Sequence, residues 1–368
     1  AEAKDVFEML PDRNVVSWTT VITFYVQEGC YEEALYSYRQ MRSEGILPDE
    51  ILLVCVLKAC GGVRDVEECM EMHAYVETMG FLRSNVVVGT AVVYMYAKCG
   101  MLAESKIIFR TLPFQQVVMW NALISGCVRH GRAEEALDYY QEMHRHGISP
   151  DDYTLTCILK ACGMIGAFEK GRKIHVDIEK KGFLQTSQHV GNAVVAMYVK
   201  CGMVANASKV FNTLRIRNVV SWNILIAGYA QGGELGEVLY ILEGMKGEGI
   251  KPSSVTFISV LNACSHVGLV DKGETYFEAM AQSYGVTPTL EHQSCLVDIL
   301  GRAGQLENVA FVMNITPSLP NTVMWLTMLS ACRKWGDVRL GRNAFEQVVS
   351  IDGNNSASYM CMHKIYVG

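Results

Sequence analysis

The chain has 368 residues, half of them hydrophobic and only 19% charged, with a formal net charge of −6. That composition excludes a disordered chain, and the acidic balance provides no general basic surface, so a nucleic-acid partner would have to be held by local features. Thirteen cysteines form no C-x-x-C pair, and the longest apolar run, ILLVCVL at 51–57, is too short to span a bilayer; neither a disulfide framework, a cysteine zinc site nor a membrane span is expected.

The first residues, AEAKDVF, match AESKIIF at 103 and ASKVF at 207, so the chain starts inside a repeated unit and any targeting peptide is expected outside it. Residues 15–22 read VVSWTTVI, and the phrase returns as VVMWNALI at 117, VVSWNILI at 219 and a drifted TVMWLTML at 322. Trp18, Trp120 and Trp222 stand 102 residues apart, and Trp325 follows after 103. LKAC at 57 and 159 with LNAC at 261, and MYAKCG at 95 with MYVKCG at 197, keep the same step. A fixed period predicts stacked units in one elongated array.

Within the first unit, Trp18, Val21, Ile22 and Tyr25 form the apolar stripe of a helix. Gly29 ends it, and Glu32 and Glu33 place negative charge in the first turn of a second helix with its own stripe of Ala34, Leu35, Tyr38 and Met41. That helix closes in EGILPD, where Gly45 suits a left-handed cap and Pro48 blocks continuation. The exit returns as HGISPD at 146 and EGIKPS at 248. No strand alternation recurs, so the predicted class is all-α, and each 102-residue block divides into helical hairpins at 15–49, 50–85 and 86–116.

This pattern resembles the plant organellar pentatricopeptide repeat proteins in which P, L and S repeats of about 35, 36 and 31 residues alternate. The resemblance covers essentially the whole chain and implies a right-handed superhelical solenoid of helix-turn-helix repeats. Residues 1–14 would end an S repeat. P repeats would occupy 15–49, 117–151 and 219–253, L repeats 50–85, 152–187 and 254–289, and S repeats 86–116, 188–218 and 290–321. Residues 322–355 resemble an E-type repeat and 356–368 the start of a second, although SIDGNN and MCMHK depart from the usual wording.

The family binds single-stranded RNA, one base per repeat, through the fifth and last residues of each repeat. By carry-over the pairs are Thr19 with Asp49, Thr90 with Gln116, Asn121 with Asp151, Asn192 with Asn218, Asn223 with Ser253, and Ser294 with Asn321. The same residue types are preferred as helix caps, so each pair also carries that structural reading. Val54 and Ile258, at the fifth position of L repeats, cannot hydrogen-bond a base. The resemblance implies a parallel RNA of sequence 5′-GnnUnYCnA, with Thr90 and Gln116 matching no common pair. Val16, Val87, Val118, Val220 and Val255, the second residues of their repeats, would sandwich bases; helix-start packing is the alternative. His189 and Glu291 stand in that place in two S repeats. Lys98, Arg129, Lys200 and Arg302 would meet phosphates or serve as solvated surface charge.

Members of this type select cytidines for deamination to uridine, chemistry that needs a zinc-bound water held by an H-x-E and C-x-x-C set. Neither occurs here, so this chain is expected not to be an enzyme and to need no cofactor. The cytidine deaminase would act in trans or lie beyond Gly368. GAFEKGRK at 166 lacks the GK[ST] ending of a phosphate loop, and His73 and His175 suit packing. The compartment implied is the mitochondrion, with the chloroplast as alternative, and no membrane partner is expected. RNA stabilisation or splicing is an alternative role. A tetratricopeptide-like protein scaffold would need a constant 34-residue period and W-x-x-L-G wording that are absent.

Overall fold

In a computed structural model, Phe7 and residues 13–315 and 320–367 are described. Most of 1–14 and residues 316–319 of the proposed final S repeat therefore lie outside the described residues. Every regular element among those described is an α-helix, and the helices come in consecutive pairs. Leading helices include Val15–Gln27, Glu50–Val63, Val86–Cys99 and Val117–Arg129, each followed by a partner: Tyr31–Ser43, Val66–Thr78, Leu102–Thr111 and Ala133–Arg145.

The hairpins follow from local chemistry. Asn14 begins the first helix, its side chain accepting from Val16 N and Ser17 N at 3.0 Å, and such a cap contributes about 1 kcal/mol. Glu32 and Glu33 sit in the first turn of the second helix, where they face its positive dipole end. Gly45 ends that helix with φ +76°, a conformation a side chain would strain.

Two compact units divide the chain, 1–193 and 194–368. In the first, the leading helices pack against one another in order, and each trailing helix packs on its own leading helix. Two layers result. The approach is close enough at Gly126 that an added Cβ would stand 2.7 Å from Ala97 Cβ. Between the layers sit the tryptophans: Trp18 and Trp120 are buried, each taking a phenylalanine edge, Phe7 at 4.7 Å and Phe109 at 4.6 Å. In the second unit Trp222 and Phe211 repeat the arrangement at 4.7 Å.

The second unit stacks Val219–Gln231, Ser254–Val267, Leu290–Arg302 and Thr322–Trp335 in order, each with a trailing helix. The last described helix, Ser356–Val367, packs on both Thr322–Trp335 and Val338–Ile351. Two short turns, Phe81–Ser84 and Phe183–Thr186, follow trailing helices and were not anticipated by a plain hairpin. The corresponding stretch 283–289 carries no helix; Pro288 there lacks an amide N–H and restricts its predecessor. No disulfide joins the cysteines among the described residues, and burial pushes the Cys60 and Cys295 thiols up to about 12.

Candidate nucleic-acid interface

The fifth residue of a leading helix lies one turn in, and the last residue of the same repeat precedes the next leading helix. Stacking of leading helices brings the two together. Asn121 is buried, and its Nδ2 donates to Asp151 Oδ2 at 2.9 Å and Oδ1 at 3.1 Å. Thr154, in the first turn of the next helix, places its hydroxyl 2.5 Å from Asn121 Oδ1 and 2.8 Å from Asp151 Oδ1. Its backbone N–H donates to Asp151 Oδ1 at 2.8 Å, so Asp151 is both the partner of Asn121 and a helix cap.

The arrangement recurs in the second unit. Asn223 Nδ2 donates to Ser253 Oγ at 3.0 Å, and the Thr256 hydroxyl donates to Asn223 Oδ1 at 2.6 Å. Asn218 accepts from Ser221 N at 3.0 Å, and Asn192, at the end of the first unit, is buried.

The hydroxyl positions differ. Thr19 donates to Val15 O at 2.7 Å, Thr90 to Val86 O at 2.7 Å and Ser294 to Leu290 O at 2.7 Å, each within its own helix. Asp49 caps through Leu52 N at 2.8 Å and Asn321 through Met324 N at 3.0 Å. Thr90 and Gln116 instead line one cavity of about 340 Å³, together with Val54, Tyr94, Val87 and Val118. The second residues Val87 and Val118 of two successive repeats thus share one cavity with the fifth residues Val54 and Thr90.

Those second residues project into solvent, from 49% exposed at Val220 to 66% at Val16, with Val87, Val118 and Val255 between. Single exposed valines are ordinary; here they recur at one register, a row within each unit that His189 and Glu291 interrupt. Of the cationic positions, Arg129 and Lys200 are exposed and make no ion pair among the described residues. Lys98 Nζ lies 4.6 Å from the Tyr31 ring centroid, and Arg302 Nε pairs with Asp298 at 2.9 Å.

The PPR repeat family model matches residues 13–61, 115–164 and 217–266, and a PPR repeat model matches 255–283. The chain is 36% identical over 365 residues to the pentatricopeptide repeat-containing protein At2g33680 of Arabidopsis thaliana, covering 99% of this chain and 50% of that protein. This chain belongs to the pentatricopeptide repeat family. Two further Arabidopsis members are similar. The mitochondrial At2g03880 is 34% identical over 99% of this chain and 57% of its own length, and the chloroplastic At1g08070 is 36% identical over 89% and 44%. The chain spans about half the length of the curated relatives it matches. The crystal structure of maize PPR10 shares the fold with a TM-score of 0.68 at 19% identity, over 96% of this chain and 56% of that one.

On the repeat frame, two side chains of the exposed row escaped the sequence reading: Ile51, 67% exposed, and Tyr153, 51% exposed. Both are the second residue of a leading helix, in the units at 50 and 152. Their position, shared with the valines, was the available signal.

Proposed function

We propose that this chain is a sequence-reading, single-stranded RNA-binding segment that selects sites for C-to-U editing of organellar transcripts, one base per repeat along 5′-GnnUnYCnA. P, L and S repeats keep the bounds given above, with an E-type repeat at 322–355. The cytidine deaminase activity belongs to a separate domain. The compartment is the mitochondrion, with the chloroplast as alternative; similar members carry one or the other in their names.

The observation that carries this proposal is the pair of linked sites, Asn121 with Asp151 and Asn223 with Ser253. With one amide N–H shared between the two Asp151 oxygens and one carbonyl lone pair given to Thr154, Asn121 would retain a donor and an acceptor. A pyrimidine edge is complementary to that pair. The last residue then decides between pyrimidines: the Asp151 carboxylate only accepts, which suits the ring N–H of uracil, whereas the Ser253 hydroxyl can donate to the bare ring nitrogen of cytosine. Apolar neighbours such as Val118 would cover the base and keep water from these bonds, which strengthens them.

The test is the affinity of the chain for the nine-mer against versions with the U or the C replaced. Each replacement is expected to weaken binding by roughly 1–3 kcal/mol, the value of a good paired base contact. Equal binding of all versions would refute the assignment.

A further inference from the structure

The fourth copy of the tryptophan phrase, TVMWLTML at 322, puts Leu326 at the fifth position, where no hydrogen bond to a base can be made. The structure has a cleft there. A cavity of about 570 Å³ lies between helices Leu290–Arg302 and Thr322–Trp335, and Val323, Leu326, Thr327 and Ser330 line it. These are the second, fifth, sixth and ninth residues of their helix. The 340 Å³ cavity beside Val86–Cys99 is lined by the same register of that helix: Val87, Thr90, Ala91 and Tyr94. The tail cleft therefore repeats the form of the cavity at Thr90, with Val323 exposed as Val87 is.

Its chemistry is different. Arg302, Arg333 and Lys334 enter the lining, against a chain of net charge −6. Asp298 is the one carboxylate in the lining; it pairs with Arg302 Nε at 2.9 Å and also accepts from the Ser265 hydroxyl. Arg333 and Lys334 have no carboxylate partner among the described residues. Lys334 Nζ donates to Arg302 O at 2.9 Å and stands 4.8 Å from the Trp335 ring centroid, which holds its charge at the cleft. Leu326 cannot hydrogen-bond a base, while a guanidinium and an ammonium suit a phosphate.

We infer that this cleft takes the RNA nucleotide immediately 3′ of the read nine-mer, gripping its phosphate through Arg333 and Lys334 without reading its base. The inference rests on the proposed reading of the array. Charge complementarity selects the occupant: a phosphodiester strand already delivered to the adjoining repeat meets two uncompensated cations. Backbone contacts of this kind fix register and add affinity uniformly across sequences.

The experiment compares binding of the nine-mer with the same oligonucleotide extended by two nucleotides at its 3′ end, in all four base identities, and at its 5′ end as control. The 3′ extension is expected to tighten binding about fivefold at low salt whatever its bases, and to steepen the salt dependence by about one unit of slope. Arg333→Gln with Lys334→Gln should abolish that gain and leave nine-mer affinity within about twofold. Arg333→Gln alone, whose side chain is exposed and otherwise meets only Cys361 Sγ at 3.7 Å, should remove about half of it. If the nine-mer binds specifically but the 3′ extension adds nothing, adds no more than the 5′ extension, or adds as much to the double variant, the tail site is wrong and the reading stands. Dependence on the added base would overturn the claim that Leu326 reads nothing. Failure of the nine-mer to bind would overturn both.

Discussion

The residue pairs at Asn121 and Thr19 occupy the same place in their repeats and are built differently. At Asn121 the fifth residue, the last residue and Thr154 form one connected set of hydrogen bonds. At Thr19 the fifth residue bonds back to Val15 O and Asp49 caps the next helix through Leu52 N, and among the described residues no hydrogen bond joins the two. Two residues differ between the cases: the fifth, Thr19 against Asn121, and the third of the following helix. The latter is Leu52 after the first pair and Thr154 after the second, and the second unit has Thr256 in that place. A threonine hydroxyl there fixes which way the asparagine amide faces; Thr19 with Leu52 leaves two independently anchored groups. Position in the repeat sets where a base would be met, and these two residues set how rigidly.

Both pairs stand on the same foundation, which provides the harshest test of the comparison. Trp120→Ala removes a fully buried ring and its contact with Phe109, and should cost about 3–5 kcal/mol in urea unfolding. Trp18→Ala should cost a similar amount, since its burial and its Phe7 contact are alike. Trp120→Phe should cost far less than Trp120→Ala, because the indole Nε1 makes no hydrogen bond. A loss confined to one of the two tryptophans would break the equivalence.

Thr154→Val cuts the network at Asn121 and cannot touch Thr19. It leaves buried polar atoms short of a partner, so we expect a stability loss of about 1–3 kcal/mol. A tenfold loss of uracil preference at the fourth base should accompany it, roughly 1.4 kcal/mol. Oligonucleotides varied at the first base should bind with unchanged relative affinity. Equal effects on first and fourth bases would contradict the separation drawn here.

The reverse substitution, Leu52→Thr, gives the first pair the third residue that the second has. A completed capping box should offset part of the lost apolar burial and is itself worth about 0.3–1.5 kcal/mol; the informative readout is sharper discrimination at the first base.

Acid should act least on this comparison, because the histidines concerned lie away from either pair. Burial lowers His73 below its ordinary value of 6.5, opposed by Glu77, and His144 is lowered likewise. The folded chain then takes up these protons less readily than the unfolded one. Their contribution to stability is present above the ordinary histidine value and is lost as pH falls through it. Urea midpoints measured from pH 7.5 down to 5.5 should fall, and His73→Gln should flatten part of that slope.

Much of the fold was legible because periodicity and burial share a cause. The stripe of Trp18, Val21, Ile22 and Tyr25 had to face inward, and Gly45 with Pro48 had to end a helix. The link from Asn121 to Asp151 was harder to foresee, since it depends on how closely one hairpin seats on the next. The role of Thr154 was invisible because it belongs to the following repeat. Ile51 and Tyr153 stand at the register of the valines singled out in the sequence, and their exposure is what adds them to that set. In the tail, Leu326 was legible as a poor reader of bases, but the cations around it become a cluster only when Leu290–Arg302 and Thr322–Trp335 are packed together.

The central claim, that two side chains per repeat choose the base, is tested most directly by Asp151→Ser. This substitution keeps a good helix cap and makes the pair chemically equal to that of Asn223 and Ser253. Affinity should be measured for nine-mers carrying U or C at the fourth base. The account predicts that preference reverses from U to C by about tenfold each way, as expected for exchange of a paired base contact, with the best-matched affinity preserved. Retention of the U preference, or an equal loss for both oligonucleotides, would contradict it.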